Sequence, residues 1–396
     1  MKKAVIVNAV RTPIGKRGKS LATVPAAQLA SVVMKESVQR AGIDPKEIDE
    51  VIFGNLMNFD YNNIARIAWL EAGFPIEVPA MVVNRRCASS LTAIAYGAMM
   101  VQTGNAEAVL AGGVESYSQN PFMVKRPETG FPNKLVVLDT RQAPDCIGNI
   151  PLLRTAANIA KKYNISREEC DELALRSHML ASRAWKNGSF KEQVVPFQVA
   201  QKKEVTVNWD DCVRADCSME SLAKLKPAID PNGVVTAGNS SPMNDGASAV
   251  MVMSEEKALS LDLQPLAAIK EFCAVGVDPN YMGMGPVYAT KKLFDKTGLS
   301  FKDIDLIEIN EAFASQSVAC LKEMGLYNPQ DMERINVNGG AIAIGHPNAA
   351  SGGILTARLI YEMKYRDLHR GLITFCVGGG QGFSIILERY LFGFYV

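Results

Sequence analysis

Three side chains in this sequence have the types and settings for acyl chemistry: Cys87, His346 and Cys376. Cys87 stands in Asn84-Arg-Arg-Cys-Ala-Ser-Ser, just ahead of an apolar helical run over 91–101. A cysteine there meets unsatisfied N–H groups and the positive end of the helix dipole, which is expected to lower its pKa. His346 follows a glycine-rich run, Asn338-Gly-Gly-Ala-Ile-Ala-Ile-Gly-His-Pro, where backbone can approach a ligand closely. The chain has three histidines in all. His178 lies in a polar helical stretch and His369 in a basic turn, so both are expected at the surface. Thiolate attack at neutral pH needs a base near the thiol, and His346 is the choice. Cys376 opens Cys-Val-Gly-Gly-Gly-Gln-Gly directly after a strand-like run. Glycines at that point leave backbone N–H groups free to face an oxyanion. The run is no phosphate loop, lacking Gly-Lys-Ser/Thr, and it leads into no helix as a dinucleotide fingerprint would. Asn310-Glu-Ala-Phe-Ala ends another strand-like run and adds a polar group at the mouth of the same cleft.

Positioning these groups takes a layered α/β scaffold. Strand-like runs at 4–7, 50–53, 108–110, 250–253, 306–309 and 372–376 alternate with helical patterns. The scaffold is also duplicated. Ala-Gly-Ile-Asp-Pro-Lys-Glu-Ile-Asp-Glu-Val-Ile-Phe (41–53) echoes Thr-Gly-Leu-Ser-Phe-Lys-Asp-Ile-Asp-Leu-Ile-Glu-Ile (297–309). The loops of Cys87 and His346 then fall at equivalent places, so pairing of the halves about a pseudo-twofold axis brings both into one cleft. Between the halves runs a polar, irregular stretch. It holds a proline- and glycine-marked flap (Pro121, Pro127, Gly130, Pro132) and a helix over 166–187 opened by a Ser166/Glu169 capping box. Such an insertion suits a loop domain that covers substrate.

Composition removes other classes. The 396 residues are 48% hydrophobic and 21% charged, as in a well-cored globule. Lys plus Arg (42) nearly cancels Asp plus Glu (41), leaving +1 and no reason to expect nucleic acid or an anionic membrane as partner. The eight cysteines have no paired CxxC spacing, so neither a metal site nor a disulfide framework is expected, and most should be reduced core residues in a cytoplasmic setting. The opening apolar run breaks at Asn8 and Arg11-Thr-Pro, which reads as a first strand rather than a secretory signal. No apolar segment reaches membrane-spanning length.

In order and spacing these segments resemble the thiolase family over nearly the whole chain. The matching motifs are Val7-Asn-Ala-Val-Arg-Thr-Pro-Ile-Gly15, Asn-Arg-Arg-Cys-Ala-Ser, Val-Thr-Ala-Gly-Asn-Ser-Ser with Asn-Asp-Gly-Ala (235–247), Asn-Glu-Ala-Phe-Ala, the His346 loop and the Cys376 loop. The resemblance implies a five-layer αβαβα fold of two similar halves, 1–115 (completed by about 246–265) and 266–396, with a coenzyme A-binding loop domain at 116–245. It implies Cys87 as the acylated nucleophile, His346 as its activator, and Cys376 as the acid/base at the substrate α-carbon. Asn310, through a water, and His346 would stabilise the enolate, while the N–H groups of Cys87 and Gly378 would hold the oxyanion. Arg214, Ser221, Ala237 and Ser241 match coenzyme A contacts, and Met282 and Phe313 the acyl pocket. Coenzyme A enters as substrate and product, with no resident cofactor, and a homodimer or homotetramer is implied. The expected reaction joins two acetyl-CoA or cleaves acetoacetyl-CoA. Degradative cleavage of longer 3-ketoacyl-CoA, or acyl-CoA or lipid binding without catalysis, are the alternatives. Three departures stand out: Ser90 and Ala349 replace customary glycines, and Pro151-Leu-Leu-Arg-Thr-Ala-Ala-Asn158 replaces a His-Met-Gly-x-Thr-Ala-Glu-Asn pattern beside the acyl pocket. The closing Tyr390-Leu-Phe-Gly-Phe-Tyr-Val396 is unusually apolar.

Overall fold

The computed structural model describes residues 1–126, 136–138, 140–199 and 205–390. Pro127, Gly130 and Pro132 of the expected flap, and the apolar end beyond Tyr390, lie outside the described residues.

The first half comprises β1 (Ala4–Arg11), α1 (Ala26–Ala41), β2 (Glu50–Gly54), α2 (Ile64–Glu71), β3 (Ala80–Val83), α3 (Ser89–Gln102) and β4 (Ala108–Ser116). An inserted stretch carries α4 (Leu152–Lys162) and α5 (Arg167–Lys186), and β5 (Asn244–Ser254) returns to the first sheet. The second half comprises β6 (Ala267–Gly276), α6 (Gly285–Thr297), β7 (Leu306–Ile309), α7 (Ala314–Glu323), α8 (Ser351–Arg366), β8 (Arg370–Val377) and β9 (Gln381–Arg389).

The duplication inferred from the echo appears strand by strand. In the first half β3 and β4 flank β2 in parallel, β5 pairs antiparallel with β4, and β1 antiparallel with β5. In the second, β8 runs parallel to β7, β9 antiparallel to β8, and β6 antiparallel to β9, while Ile335 makes a parallel bridge to Ile307 where β3 stands in the first half. The two sheets meet where Val5 and Ile6 of β1 pair with Ala268 and Ala267 of β6. The echoed glycines do the same work. Gly42 ends α1 at φ 63° and Gly298 ends α6 at φ 71°, a left-handed cap that a side chain would disfavour.

Three large apolar cores fill the spaces between five layers, the central one lying on both sides of the middle helices. One lies between α1, α2 and the outer face of the first sheet. The central core packs α3 and α8 between the two sheets, with Leu91, Ile94, Leu355 and Ile360 facing Val250, Ile373 and Ile385. The third covers the second sheet with α6, α7 and part of α5. Helix α5 begins at Ser166 with the expected capping box, Ser166 Oγ accepting from the Glu169 N–H and the Glu169 carboxylate from the Ser166 N–H. Arg11 of β1 locks the insertion down through a fully buried two-pronged pair with Asp210, at 2.8 and 3.0 Å. Burying both charges is tolerable only because every prong is matched; losing one partner would cost about 3–5 kcal/mol.

Candidate active site

The two central helices start at the cleft, and each delivers a reacting group from the loop before it. Cys87 occupies a single 3-10 turn, Arg86–Ala88, immediately ahead of α3. His346 precedes a matching 3-10 turn, Asn348–Ala350, that runs into α8. Cys376 is the penultimate residue of β8, and Gly378 follows the strand into a hairpin with β9. Asn310 follows β7, its N–H donating to Thr374 O of β8 at 3.0 Å. Four segments remote in sequence therefore converge because α3 and α8 both start, and the parallel strands β7 and β8 both end, on one side.

Cys376 stands close enough to Cys87 to feel its charge, and the Gly378 N–H faces the Cys87 sulfur. Both thiols are buried. The expected lowering of the Cys87 pKa is corrected by the fold: burial pushes the thiol up to about 11 and outweighs the Gly378 N–H and the Arg86 charge, which pull it down. The reason is that the cysteine sits beneath the cleft wall, where a bare thiolate loses its water. Cys376 is raised well above its ordinary value, by burial first and by Cys87 second. Burial drives His346 down to about 4. At neutral pH the resting set is thus two thiols and a neutral imidazole.

His346 is held from three sides. Its backbone N–H donates to Asn244 Oδ1 at 2.9 Å, its Nδ1 lies 2.6 Å from Ser351 Oγ, and its Nε2 lies 3.4 Å from Asn310 Nδ2. Ser351 donates its hydroxyl proton to Pro347 O at 3.1 Å. It therefore accepts from Nδ1–H, which assigns the proton to Nδ1 and leaves the Nε2 lone pair toward the cleft. Asn310 Oδ1 is buried with no partner among the described residues, an acceptor open to a ligand or water.

Glu311, beside Asn310, holds the histidine loop in shape. Its carboxylate accepts from Ser177 Oγ (2.7 Å), Asn336 Nδ2 (2.7 Å) and the Ile342 N–H (3.3 Å). A β-carbon on Gly340 would stand 2.0 Å from Glu311 Cδ, so only glycine lets the loop settle on this carboxylate. Glu115 does a parallel service below Cys87, accepting from the N–H groups of Met57 (2.9 Å) and Ala349 (3.3 Å); burial pushes its pKa up to about 8. Sequence reading missed Ser351, Asn244, Glu311 and Glu115. Only Glu311 had a local signal, its adjacency to Asn310; the others act through contacts more than a helix turn away in sequence or across the halves.

The departures have local answers. Ser90 accepts at Oγ from the Gly353 N–H at 3.0 Å, tying the start of α3 to the start of α8. Ala349 sits buried in its 3-10 turn without positive φ, so glycine is not required there. Pro151 caps α4, and Leu152 packs with Ala156, Met282, Phe313 and Cys376. Met282 and Phe313 are thus brought beside Cys376.

A cavity of about 200 Å³ opens over the insertion, lined among others by Lys16, His178, Arg214, Ser221 and Ala237. Ser240 lines it where Ser241 was expected; Ser241 instead donates its N–H to Ala312 O at 3.0 Å. Ser240 Oγ is buried without a partner among the described residues. His178 is buried, contrary to expectation, because its Nδ1 accepts the Arg214 N–H at 3.2 Å and so shapes the cavity wall; burial, then Arg214, lowers it to about 4.

Two thiols, an oriented imidazole and an inward N–H between duplicated half-sheets define an acyl-transfer enzyme of the cysteine class. The chain belongs to the thiolase family: residues 4–256 match the thiolase N-terminal domain and 263–389 the thiolase C-terminal domain. It is similar to the acetyl-CoA acetyltransferase of Cupriavidus necator, 44% identical, covering 98% of this chain and 100% of that protein. The crystal structure of the Bacillus anthracis acetyl-CoA acetyltransferase superimposes with TM-score 0.92 at 42% identity, covering 98% of this chain and 99% of the other. Human mitochondrial 3-ketoacyl-CoA thiolase in complex with CoA gives 0.91 at 36%, covering 98% of each chain. Among the described residues, no helix is long and apolar enough to cross a membrane.

Proposed function

We propose that this chain catalyses the reversible Claisen condensation of two acetyl-CoA to acetoacetyl-CoA and free CoA through an acyl-cysteine intermediate. The observation that carries the reading is the convergence of Cys87, Cys376 and the Gly378 N–H with the Asn310–His346 pair. In the first half-reaction the Cys87 sulfur attacks the thioester carbon as His346 Nε2 takes its proton. The Gly378 N–H and the Cys87 N–H stabilise the oxyanion, CoA leaves with the proton of Cys376, and His346 keeps the Cys87 proton on Nε2. In the second, the Cys376 thiolate so formed removes the α-proton of a new acetyl-CoA. The enolate oxygen develops its charge against His346 and a water held by Asn310, which is where donors lower the barrier most. The enolate carbon then attacks the acyl-Cys87 carbonyl, the bond from that carbon to sulfur breaks, and the Cys87 sulfur takes its proton back from His346.

The cavity beside Arg214, Ser221, Ala237 and Ser240 holds CoA in this reading, and the unpartnered Ser240 hydroxyl supports it. Residues 116–245 form the loop domain that carries it, between halves 1–115 with 246–265 and 266–396. Relatives named as acetyl-CoA acetyltransferases favour the two-carbon acyl group. The chain acts in the cytoplasm as a homodimer or homotetramer. Strand β3 supports pairing: it is a sheet edge whose Met81 and Val82 are exposed near Ile67, Leu70 and Ile76.

Treatment with acetyl-CoA should add one acetyl group to the tryptic peptide 87–125, in which Cys87 is the sole cysteine. The adduct should be absent in Cys87→Ser. Cys376→Ala should still be acylated but make no acetoacetyl-CoA. No acyl-enzyme and no thiolysis would instead indicate a protein that binds acyl-CoA or lipid without catalysis. Faster thiolysis of medium-chain 3-ketoacyl-CoA than of acetoacetyl-CoA would indicate the degradative reading.

A further inference from the structure

The residue before the nucleophile has no role in the chemistry above, yet its placement is unusual. Arg86 adopts φ 46°, a left-handed backbone that an L residue takes up at a cost and that tends to mark functional turns. Its Nη2 donates to Arg141 O at 2.8 Å, which draws the side chain toward the inserted stretch. No carboxylate among the described residues forms an ion pair with it: the acid nearest the thiol, Glu115, is buried and occupied by the Met57 and Ala349 N–H groups. The Arg86 stem borders Gly378. Its Cγ lies 3.9 Å from the point a β-carbon at Gly378 would occupy, with Leu152 Cδ2 at 3.7 Å and Gln142 Oε1 at 2.9 Å from the same point. Gly378 is the residue whose N–H faces the Cys87 sulfur. The wall beside the thiol is thus apolar on the Leu152, Met282 and Phe313 side and polar on the other, where Arg86 has no ion-pair partner among the described residues.

An acetyl group uses none of this polarity, and a longer neutral chain would have to strip water from the guanidinium without replacing it. A carboxylate at the end of the acyl group would match it, because guanidinium and carboxylate bond through two parallel N–H···O contacts. We propose that Arg86 is a specificity residue that accepts acyl groups ending in a carboxylate, so that 3-oxoacyl-CoA thioesters of dicarboxylic acids are substrates for cleavage. The inference rests on the acyl-cysteine reading given above and names a substrate class for the same site. The step balances as ordinary thiolysis. The bond between the α- and β-carbons breaks, the β-carbonyl carbon joins the Cys87 sulfur, whose proton passes to His346, and the α-carbon takes a proton from Cys376 and leaves as acetyl-CoA. Free CoA then takes the carboxylate-bearing acyl group from Cys87, its thiol proton restores Cys376, and Cys87 regains its own from His346.

The test compares thiolysis of three substrates: acetoacetyl-CoA, 3-oxohexanoyl-CoA, and the mono-CoA thioester of 3-oxohexanedioic acid, which has the same six carbons plus the terminal carboxylate. The wild-type protein should cleave the dicarboxylic substrate with kcat/KM at least about tenfold above the neutral six-carbon one, the size of one charge-assisted contact. Arg86→Leu should erase that ratio and Arg86→Lys should keep part of it. Any effect of the charge on Cys87 itself is common to all substrates and cancels in the ratio. Leucine is unbranched at Cβ and is no more strained at φ 46° than arginine, and a melting curve checks folding. A mutation-independent arm measures inhibition of acetoacetyl-CoA cleavage in the wild type, where succinyl-CoA should bind at least about tenfold more tightly than butyryl-CoA. A wild-type ratio near one, or a ratio that Arg86→Leu leaves intact, overturns the proposal. If acetoacetyl-CoA itself is not cleaved, the acyl-cysteine reading has failed and the inference falls with it, which this arm alone distinguishes.

Discussion

The charge state of the resting cleft is open to a direct test by varying pH. Burial lifts the Cys87 thiol from its ordinary value of 9.0 to about 11 and drops His346 from 6.5 to about 4. Two units on the thiol correspond to about 3 kcal/mol against the thiolate, and at pH 7 only roughly one molecule in 10⁴ carries it. The sign follows from burial: it penalises the charged form, which is the deprotonated form of a thiol and the protonated form of an imidazole. Raising the pH therefore increases the thiolate tenfold per unit until the thiol pKa is passed, and His346 stays neutral throughout. A thiolate–imidazolium pair would behave oppositely, giving constant thiolate across the neutral range. The assay is alkylation by iodoacetamide between pH 6.5 and 9.5, read by mass spectrometry on peptide 87–125 so that exposed Cys146 does not interfere. The expected result is a log-linear rise of about one decade per pH unit. A rate flat to within about threefold between pH 6.5 and 8 would show a preformed ion pair. Burial would then not govern this thiol, and proton transfer to His346 would precede substrate binding.

Four substitutions probe the supports. Ser351→Ala removes the acceptor that sets the His346 tautomer and should lower kcat about 10- to 100-fold, part of what a placed base supplies, with far smaller change in KM; steady-state kinetics decide. Glu311→Ala strands the donors of Ser177, Asn336 and Ile342 and should cost about 3 kcal/mol or more in denaturant unfolding, with Glu311→Gln milder. Gly340→Ala drives a β-carbon into the same carboxylate and should abolish thiolysis even in whatever fraction of the protein folds. Ser90→Ala frees the Gly353 N–H and should cost about 1 kcal/mol in urea unfolding; no measurable loss would mean the tie between α3 and α8 contributes little.

Much of this architecture was written locally. The echo of 41–53 in 297–309 appears as two left-handed helix caps and two equivalent strands, because capping and strand periodicity are decided within a dozen residues. The Ser166/Glu169 box, the strand ahead of Cys376 and the loops of Cys87 and His346 were legible for the same reason. Strands β6 and β9 were not singled out, although they complete the second sheet; their partners lie across hairpins and between halves.

What the sequence by itself determined is which residues are chemically able: a cysteine before each of two structural transitions, one histidine in a glycine loop, and their equivalence across a repeat. The tertiary structure decided their state. It buried Cys87 and reversed the direction expected for its pKa, buried His178, put Ser240 rather than Ser241 on the cavity, and set Ser351 behind the imidazole. It also left Arg86 without an ion-pair partner among the described residues. The physical reason is the same in each case. Residue type and spacing fix local backbone and intrinsic chemistry, whereas desolvation and hydrogen-bond partners depend on which distant segments close over a group.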